Sequence, residues 1–295
     1  MTPVAIEVPA SSANLGPGFD ALAVALDVTL TVEVSPRRDE RVVARGVGAG
    51  ELPTDDSNLI WTALVAYCRR FGADVPDVSL VSANAIPLER GMGSSAAAAV
   101  AGVALGRLLL DAGGTDAELV ALAADLEGHP DNAAAALLGG LVVCVDGTPT
   151  RLEPSECLRP VVCIPHARQS TSQARAVLPD AVALGQAAAN GARVAMVVAG
   201  LSGHVAWNPA VMHDVLHEPA RFEVMPESGV LVRRLREAGV GACLSGAGPS
   251  VLAVVHIEDT AGIDAVNNAV DDGWEVRGVH WHRRGASRVE PTAAG

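Results

Sequence analysis

Residues 95–111, SAAAAVAGVALGRLLLD, are so rich in Ala and Leu that they read as one buried helix, with Ser at its start and the stop signal Gly113-Gly114 past its end. The residues just before it, RGMGSS at 90–95, decide what the helix start can hold. Gly91 and Gly93 permit positive φ and let backbone N–H groups point into one concavity, while Ser94 and Ser95 are expected to cap the helix. The helix dipole adds about half a unit of positive charge there. The pattern therefore suits an anion site without a charged side chain, although GxGSS alone serves a merely capped helix equally well.

The stretch GMGSSA also fits the loose dinucleotide pattern GxGxxA, and Asp111 follows Gly91 at the spacing of a ribose-binding acid. That acid should end a second strand, whereas Asp111 ends the same helix that the glycines open. The dinucleotide reading is therefore excluded. Every one of the 21 basic residues is Arg, which removes Walker A loops and protein-kinase sites, since both need a Lys on the phosphates. A net charge of -13 argues against nucleic acid or an anionic membrane as partner, so an anionic ligand has to be caught locally. The five cysteines are odd in number and lack a CxxC pair, which suits reduced, mostly buried thiols rather than disulfides or zinc. Neither a signal peptide nor a membrane-spanning run is apparent, and the expected compartment is the cytoplasm.

At 295 residues and 49% hydrophobic, the chain has enough material for one large domain or two moderate ones. Period-two patterns at 3–8 and 24–35 predict strands, 36–58 reads as hairpin or loop, and 59–71 is amphipathic. A strand at 78–87 precedes the buried helix, and a second helix at 116–127 leads into GHPDN, a short Ala/Leu helix and the strand GGLVVCVD. After Gly147 the pattern restarts with strand PVVCIP, a helical block at 179–202, a helix near 226–238, strand VLAVVH and a final strand near 274–283. A boundary is expected near 150, and the tail GASRVEPTAAG is expected to be disordered.

Two further glycine-rich stretches matter. PASSANLGPGFDALAVAL at 9–26 reads as a tight turn between strand-like segments, with Asn14 and Asp20 projecting from it; LSGAGPSVLAVV at 244–255 reads as a glycine turn between apolar strands. Taken singly, each is most simply structural. In order, PASSANLGPGFD, PLERGMGSSAAAA and SGAGPSVLAVV resemble the three signature motifs of the GHMP small-molecule kinases, and the first motif together with EGHPDN at 127–132 is similar to the homoserine kinases among them. The resemblance runs from about residue 5 to 256. Ser11, Met92 and Ala23 depart from the usual Thr, Leu and Gly without removing a functional group.

The resemblance implies an α+β, two-layer GHMP kinase fold, with a ribosomal-S5-like ATP-binding domain at 1–150, a ferredoxin-like domain at 151–284 and a disordered tail at 285–295. It implies an ATP-dependent transferase, a kinase of threonine biosynthesis that phosphorylates the side-chain hydroxyl of L-homoserine to O-phospho-L-homoserine. Asn58, Pro87, Arg90, Gly91, Met92, Gly93, Ser94, Ser95 and Ala96 would bind ATP, Asn58 through adenine, and Ser95 with Glu127 would hold Mg²⁺. The acceptor's ammonium and hydroxyl fall to Asn14 and Asp20, its carboxylate to Arg175 and Arg221, and His129, Asn132 and Thr171 would line the pocket. Ser95, Glu127, Asn132 and Arg175 are the implied catalytic set. Homoserine kinases are thought to lack a general base, and direct transfer is expected, with Asp131 an imperfect candidate for that role. A homodimer is an expected assembly. Another GHMP kinase of mevalonate or a sugar, and a non-catalytic GHMP-like binding protein, are the alternatives; intact Ser95 and Glu127 argue against the second.

Overall fold

A computed structural model describes residues 4–291 of the chain. The N-terminal pattern is realised as β1 (Ala5–Asn14) and β2 (Gly18–Pro36), an antiparallel pair. Both strands are longer than expected, because residues 9–14, read as loop, continue β1. That end of β1 is buried on both faces, so its small residues do not alternate with polar ones, and the period-two signal is missing. Pro3 of the expected first strand lies outside the described residues.

The far edge of β2 serves two neighbours. β4 (Val78–Asn84) pairs with its C-terminal half, and β5 (Leu141–Val145) pairs with Leu22, Ala23 and Val24. β3 (Val42–Gly46), inside the segment expected as loop, lies parallel to β4, and β6 (Thr148–Leu152) extends β5. β11 (Ser287–Val289) completes the seven-stranded sheet on the outer edge of β1. Within the tail expected at 285–295, Ser287–Val289 pair with β1 and the Ala286 N–H donates to the Leu137 carbonyl (3.1 Å); residues 292–295 lie outside the described residues. The boundary expected at 150 falls inside β6.

Helices α1 (Leu59–Phe71), α2 (Ser94–Leu110), α3 (Asp116–Glu127) and α4 (Pro130–Leu138) pack with this sheet, α2 lying against α1, α3, α4 and β1. Its buried residues are mostly Ala and Val, which lets four neighbours approach one helix. Two of these helices end where their signals lie. Asn58 caps α1, and Thr115 with Glu118 forms a capping box on α3.

The second sheet has the order β10 (Trp274–Gly278), β7 (Leu158–Pro165), β9 (Val251–His256), β8 (Gly241–Leu244), all antiparallel. Helices α5 (Thr171–Ala176), α6 (Leu184–Leu201) and α7 (Glu218–Val224) follow β7. α8 (Pro226–Glu237) precedes β8, and α9 (Thr260–Ala269) links β9 to β10. The strand order is that of a ferredoxin-like β-α-β-β-α-β unit, with Leu231, Val232, Leu235 and Val266 in its core. The final strand stops at Gly278 rather than 283. Trp281 instead bridges to Leu26, and its indole N–H donates to the Leu158 carbonyl (2.8 Å), which ties the second half of the chain to the first sheet. The architecture is α+β. Among the described residues, no helix is long and apolar enough to cross a membrane.

Candidate active site

The three glycine-rich stretches are far apart in sequence and interlocked in space. The Ser11 N–H donates to the Met92 carbonyl (3.1 Å), the Ser245 hydroxyl donates to the Gly91 carbonyl (2.7 Å), and the Gly246 N–H donates to the Ala13 carbonyl (3.1 Å). Two glycines are required by this fit. At Gly91 (φ 69°) a Cβ would lie 2.1 Å from the Ser245 carbonyl oxygen, and at Gly93 (φ 66°) it would lie 2.1 Å from Ser11 Oγ. Ser11 in turn donates to Asn132 Oδ1 (2.9 Å), so the loop at 91–93 is held by β1, the β8–β9 turn and α4 together.

The helix start differs from expectation in one respect. Gly93 itself is the N-cap of α2, in a left-handed conformation, and no side chain caps the helix. The Ser94 and Ser95 hydroxyls have no hydrogen-bond partner among the described residues and remain available to a ligand, Ser95 being exposed. Both serines, with Glu89, line two adjoining cavities of about 140 and about 420 Å³. The larger is bounded by Leu30, Pro53, Leu59, Ile60 and Leu88, an apolar slot of the size a nucleotide base and sugar need.

Other implied nucleotide residues have structural duties. The Asn58 side chain caps α1 by accepting from the Ile60 N–H (3.0 Å) and donates to the Pro53 carbonyl (2.7 Å). Arg90 donates to the carbonyls of Pro165, Leu88 and His166, so it fastens the loop to the end of β7. Pro87, Met92 and Ala96 are buried; Pro87 and Met92 line the small cavity, and Ala96 lines neither cavity.

Glu127 is the last residue of α3, its side chain 9% exposed. Its Oε1 lies 3.4 Å from His129 Nδ1, and its Oε2 is buried with no hydrogen-bond partner among the described residues. An orphaned hard oxygen sharing a cavity with the Ser95 hydroxyl fits Mg²⁺, which takes few protein ligands and keeps several waters. Among the described residues, no group of three or more His, Cys, Asp or Glu side chains could hold a metal ion. The hydrogen bond to Glu127 raises the His129 pKa against the opposing effect of burial. Asp131 is 1% exposed; burial raises its pKa to about 6, and its Oδ1 accepts from the Asn132 N–H (2.8 Å).

The opposite wall of the small cavity carries the guanidinium groups. Arg175 and Asp20 form a two-pronged ion pair, Nη2 to Oδ2 and Nη1 to Oδ1 (3.3 Å), so these two charges neutralise each other in this conformation. Asn14 is a strut: its Nδ2 donates to the Gly246 carbonyl (2.8 Å) and its Oδ1 accepts from the Asp20 N–H (3.1 Å). Arg221 is 2% exposed, and burial lowers its pKa to about 10. Its Nε donates to the Ala174 carbonyl, and its Nη1 donates to the Gly246 carbonyl and His217 Nδ1. Only Nη2 lacks a protein acceptor among the described residues. Where a two-nitrogen fork was conceivable from sequence, one nitrogen is on offer. Thr171, exposed at the start of α5, lines the same cavity.

Residues 58–140 match the family model described as GHMP kinases N terminal domain, and residues 199–275 match GHMP kinases C terminal. The chain is 44% identical over 257 residues to the homoserine kinase of Leifsonia xyli subsp. xyli, covering 84% of this chain and 80% of that one. It is 39% identical over 302 residues to the homoserine kinase of Streptomyces avermitilis, covering 99% and 97%. The chain belongs to the homoserine kinase family. Among solved structures, the homoserine kinase from Cytophaga hutchinsonii superposes with a TM-score of 0.83 at 27% identity over 98% of each chain. A mevalonate kinase at 12% identity and TM-score 0.68, covering 95% and 99%, shares the fold.

In this homoserine kinase-family chain, sequence reasoning missed a cluster around the start of α7. Asp214, His217 and Glu218 are all fully buried near Arg221. Asp214 Oδ2 accepts from the N–H groups of Leu216, His217 and Glu218. Glu218 bonds Arg236 (2.6 Å) and the Leu244 N–H (3.0 Å), yet burial prevails and raises its pKa to about 7. One signal was available: His217 and Arg221 are four residues apart, which places them on one face of a helix.

Proposed function

We propose that this protein transfers the γ-phosphoryl group of ATP, with Mg²⁺, to the side-chain hydroxyl of L-homoserine, giving O-phospho-L-homoserine for threonine synthesis in the cytoplasm. The acceptor assignment is carried by Arg221, a desolvated guanidinium with Nη2 free on the wall of the small cavity. A buried cation with an unfilled donor calls for an anionic group, and a charge-assisted bond to carboxylate answers it. Asp20, on the same wall, supplies the complementary site for an ammonium group and favours an amino acid over mevalonate. Family membership supports the same choice.

In this reading the backbone N–H groups of 91–95 and the α2 dipole hold the triphosphate, whose base enters the larger cavity. Ser95 Oγ and Glu127 Oε2 would hold the metal, which supplies charge neutralisation at the transferring phosphoryl group. The acceptor's ammonium competes with Arg175 for Asp20, so Arg175 is freed to share the carboxylate with Arg221. Asn132, fastened to Ser11, and His129, fastened to Glu127, border the space in which the hydroxyl meets the phosphorus. The hydroxyl proton passes directly to a phosphoryl oxygen. Positioning is then the main catalytic contribution of the protein.

Arg221→Leu tests the assignment. A charge-assisted contact to a buried partner is worth about 2–5 kcal/mol, and a single nitrogen places the expected loss at the lower end, about a 30-fold rise in homoserine KM. The KM for ATP should change little. Wild type should discriminate strongly against 3-aminopropan-1-ol, which lacks the carboxylate, and the variant should lose about 30-fold of that preference, keeping only what Arg175 supplies. If the variant's preference for homoserine is undiminished, the carboxylate is not held by Arg221, and Arg175 becomes the leading candidate.

A further inference from the structure

We infer that His217 is a positioning residue for the acceptor site: its neutral imidazole, anchored on the Gly16 carbonyl, holds Arg221 so that Nη2 alone is presented to the acceptor carboxylate. The inference rests on reading Arg221 as the carboxylate anchor and adds the group that aims it.

The two nitrogens of His217 have defined partners. Nε2 lies 2.9 Å from the Gly16 carbonyl oxygen, which can only accept, so Nε2 carries the proton. Nδ1 lies 3.0 Å from Arg221 Nη1, which can only donate, so Nδ1 is the bare acceptor. A neutral imidazole in this one tautomer satisfies both contacts. An imidazolium would set an Nδ1–H against the Nη1–H of a buried cation, and the contact holding Arg221 would become a repulsion.

The surroundings keep the ring neutral. His217 is fully buried, and that burial pushes its pKa down to about 4. The charged groups facing it are Asp214, whose Oδ2 is 3.7 Å from Nε2, Arg221 and, at longer range, Asp20. Asp214 favours the proton, but its Oδ2 is engaged by three backbone N–H groups, and burial outweighs it. The Phe19 ring stacks on the imidazole (centroids 5.2 Å apart), and the guanidinium groups of Arg175 and Arg221 each lie 5.5 Å from the same ring. Phe19 is therefore a shared platform for both arginines and for His217.

The arrangement also couples two distant motifs. Gly16 belongs to the turn between β1 and β2, and the adjacent Pro17 carbonyl accepts from Asn190 Nδ2 of α6 (2.7 Å). His217, the N-cap of α7, relays the position of that turn to Arg221, one helical turn on. A merely space-filling ring would remove one of the three contacts that orient Arg221, leaving Nε on the Ala174 carbonyl and Nη1 on the Gly246 carbonyl alone.

The test compares His217→Phe, which keeps the ring and its stacking but removes both hydrogen bonds, with His217→Gln, which retains a donor and an acceptor. His217→Phe should raise homoserine KM at least tenfold, with the KM for ATP and the kcat/KM for 3-aminopropan-1-ol within threefold of wild type; His217→Gln should recover most of the loss. A His217→Phe enzyme with homoserine KM within threefold of wild type overturns the inference while leaving Arg221 as the anchor if Arg221→Leu still fails. Undiminished homoserine preference in Arg221→Leu overturns both. Should His217→Phe not fold, imidazole ¹⁵N NMR of the wild-type enzyme at pH 7 decides: a bare Nδ1 and protonated Nε2 are expected, and an imidazolium or the opposite tautomer contradicts the assignment.

Discussion

Gly93→Ala probes the interlocked loop at its tightest point. The left-handed backbone at Gly93 costs an L-residue about 1–2 kcal/mol. The new Cβ would sit 2.1 Å from Ser11 Oγ, so that hydroxyl has to rotate away and abandon Asn132 Oδ1, at about 1–3 kcal/mol for the unpaired acceptor. The expected loss of stability is about 2–5 kcal/mol, measured by urea unfolding, and ATP affinity should drop at least tenfold as the loop shifts. Ser11→Ala alone loses the same hydrogen bond, so the double variant should be about as stable as Gly93→Ala, well short of the sum of the two single losses. It should also regain part of the ATP affinity, since the clashing oxygen is gone. Strictly additive losses, or wild-type ATP affinity in Gly93→Ala, would refute the packing account of this loop. Gly91→Ala should be worse than Gly93→Ala, because its clash is with the Ser245 backbone carbonyl, which cannot rotate aside.

Glu127→Gln should leave the fold intact and lower turnover by several powers of ten, since the metal-facing charge is lost; near-normal kcat at ordinary Mg²⁺ would move that role to another carboxylate. Asp131 has its pKa raised by burial from 3.8 to about 6, so folding favours its protonated form and wild type loses stability as pH rises through that window. Asp131→Asn lacks this loss. Relative to wild type it should gain up to about 3 kcal/mol between pH 4 and pH 7.5 in denaturant titrations, and a flat difference would contradict the assignment. Asn14→Ala removes the strut between the β1–β2 turn and Gly246; it should cost about 1–3 kcal/mol of stability as well as raising homoserine KM, and a purely kinetic effect would show that the strut is dispensable.

Much of the fold was legible where signals are local. Asn58 and Gly72 bracket α1, and Thr115, Glu118 and Gly128 bracket α3, because caps and left-handed stops act within a few residues. The strands β3 and β11 were missed because they are short and pair with strands distant in sequence, whereas β6 and β8 are short strands that pair with their neighbours β5 and β9, β6 across the two-residue Asp146-Gly147 turn. At the site, the loop at 91–95 and Glu127 could be found from motif order. The Asp20–Arg175 pair joins residues 155 apart, and His217 meets Gly16 across 201, so no local pattern carries either contact. The role of Ser94 and Ser95 changed for a physical reason: once Gly93 takes the N-cap in a left-handed conformation, both hydroxyls are released from capping.

The most direct measurement is a steady-state acceptor panel on the purified protein with MgATP, using L-homoserine, mevalonate and galactose, with ADP release and ³¹P NMR of the product as paired readouts. Homoserine should be phosphorylated on its side-chain oxygen with kcat/KM at least a hundredfold above the other two. Preference for mevalonate or galactose, or ATP binding without turnover of any of the three, would contradict the proposed acceptor and the roles drawn for Arg221 and Asp20.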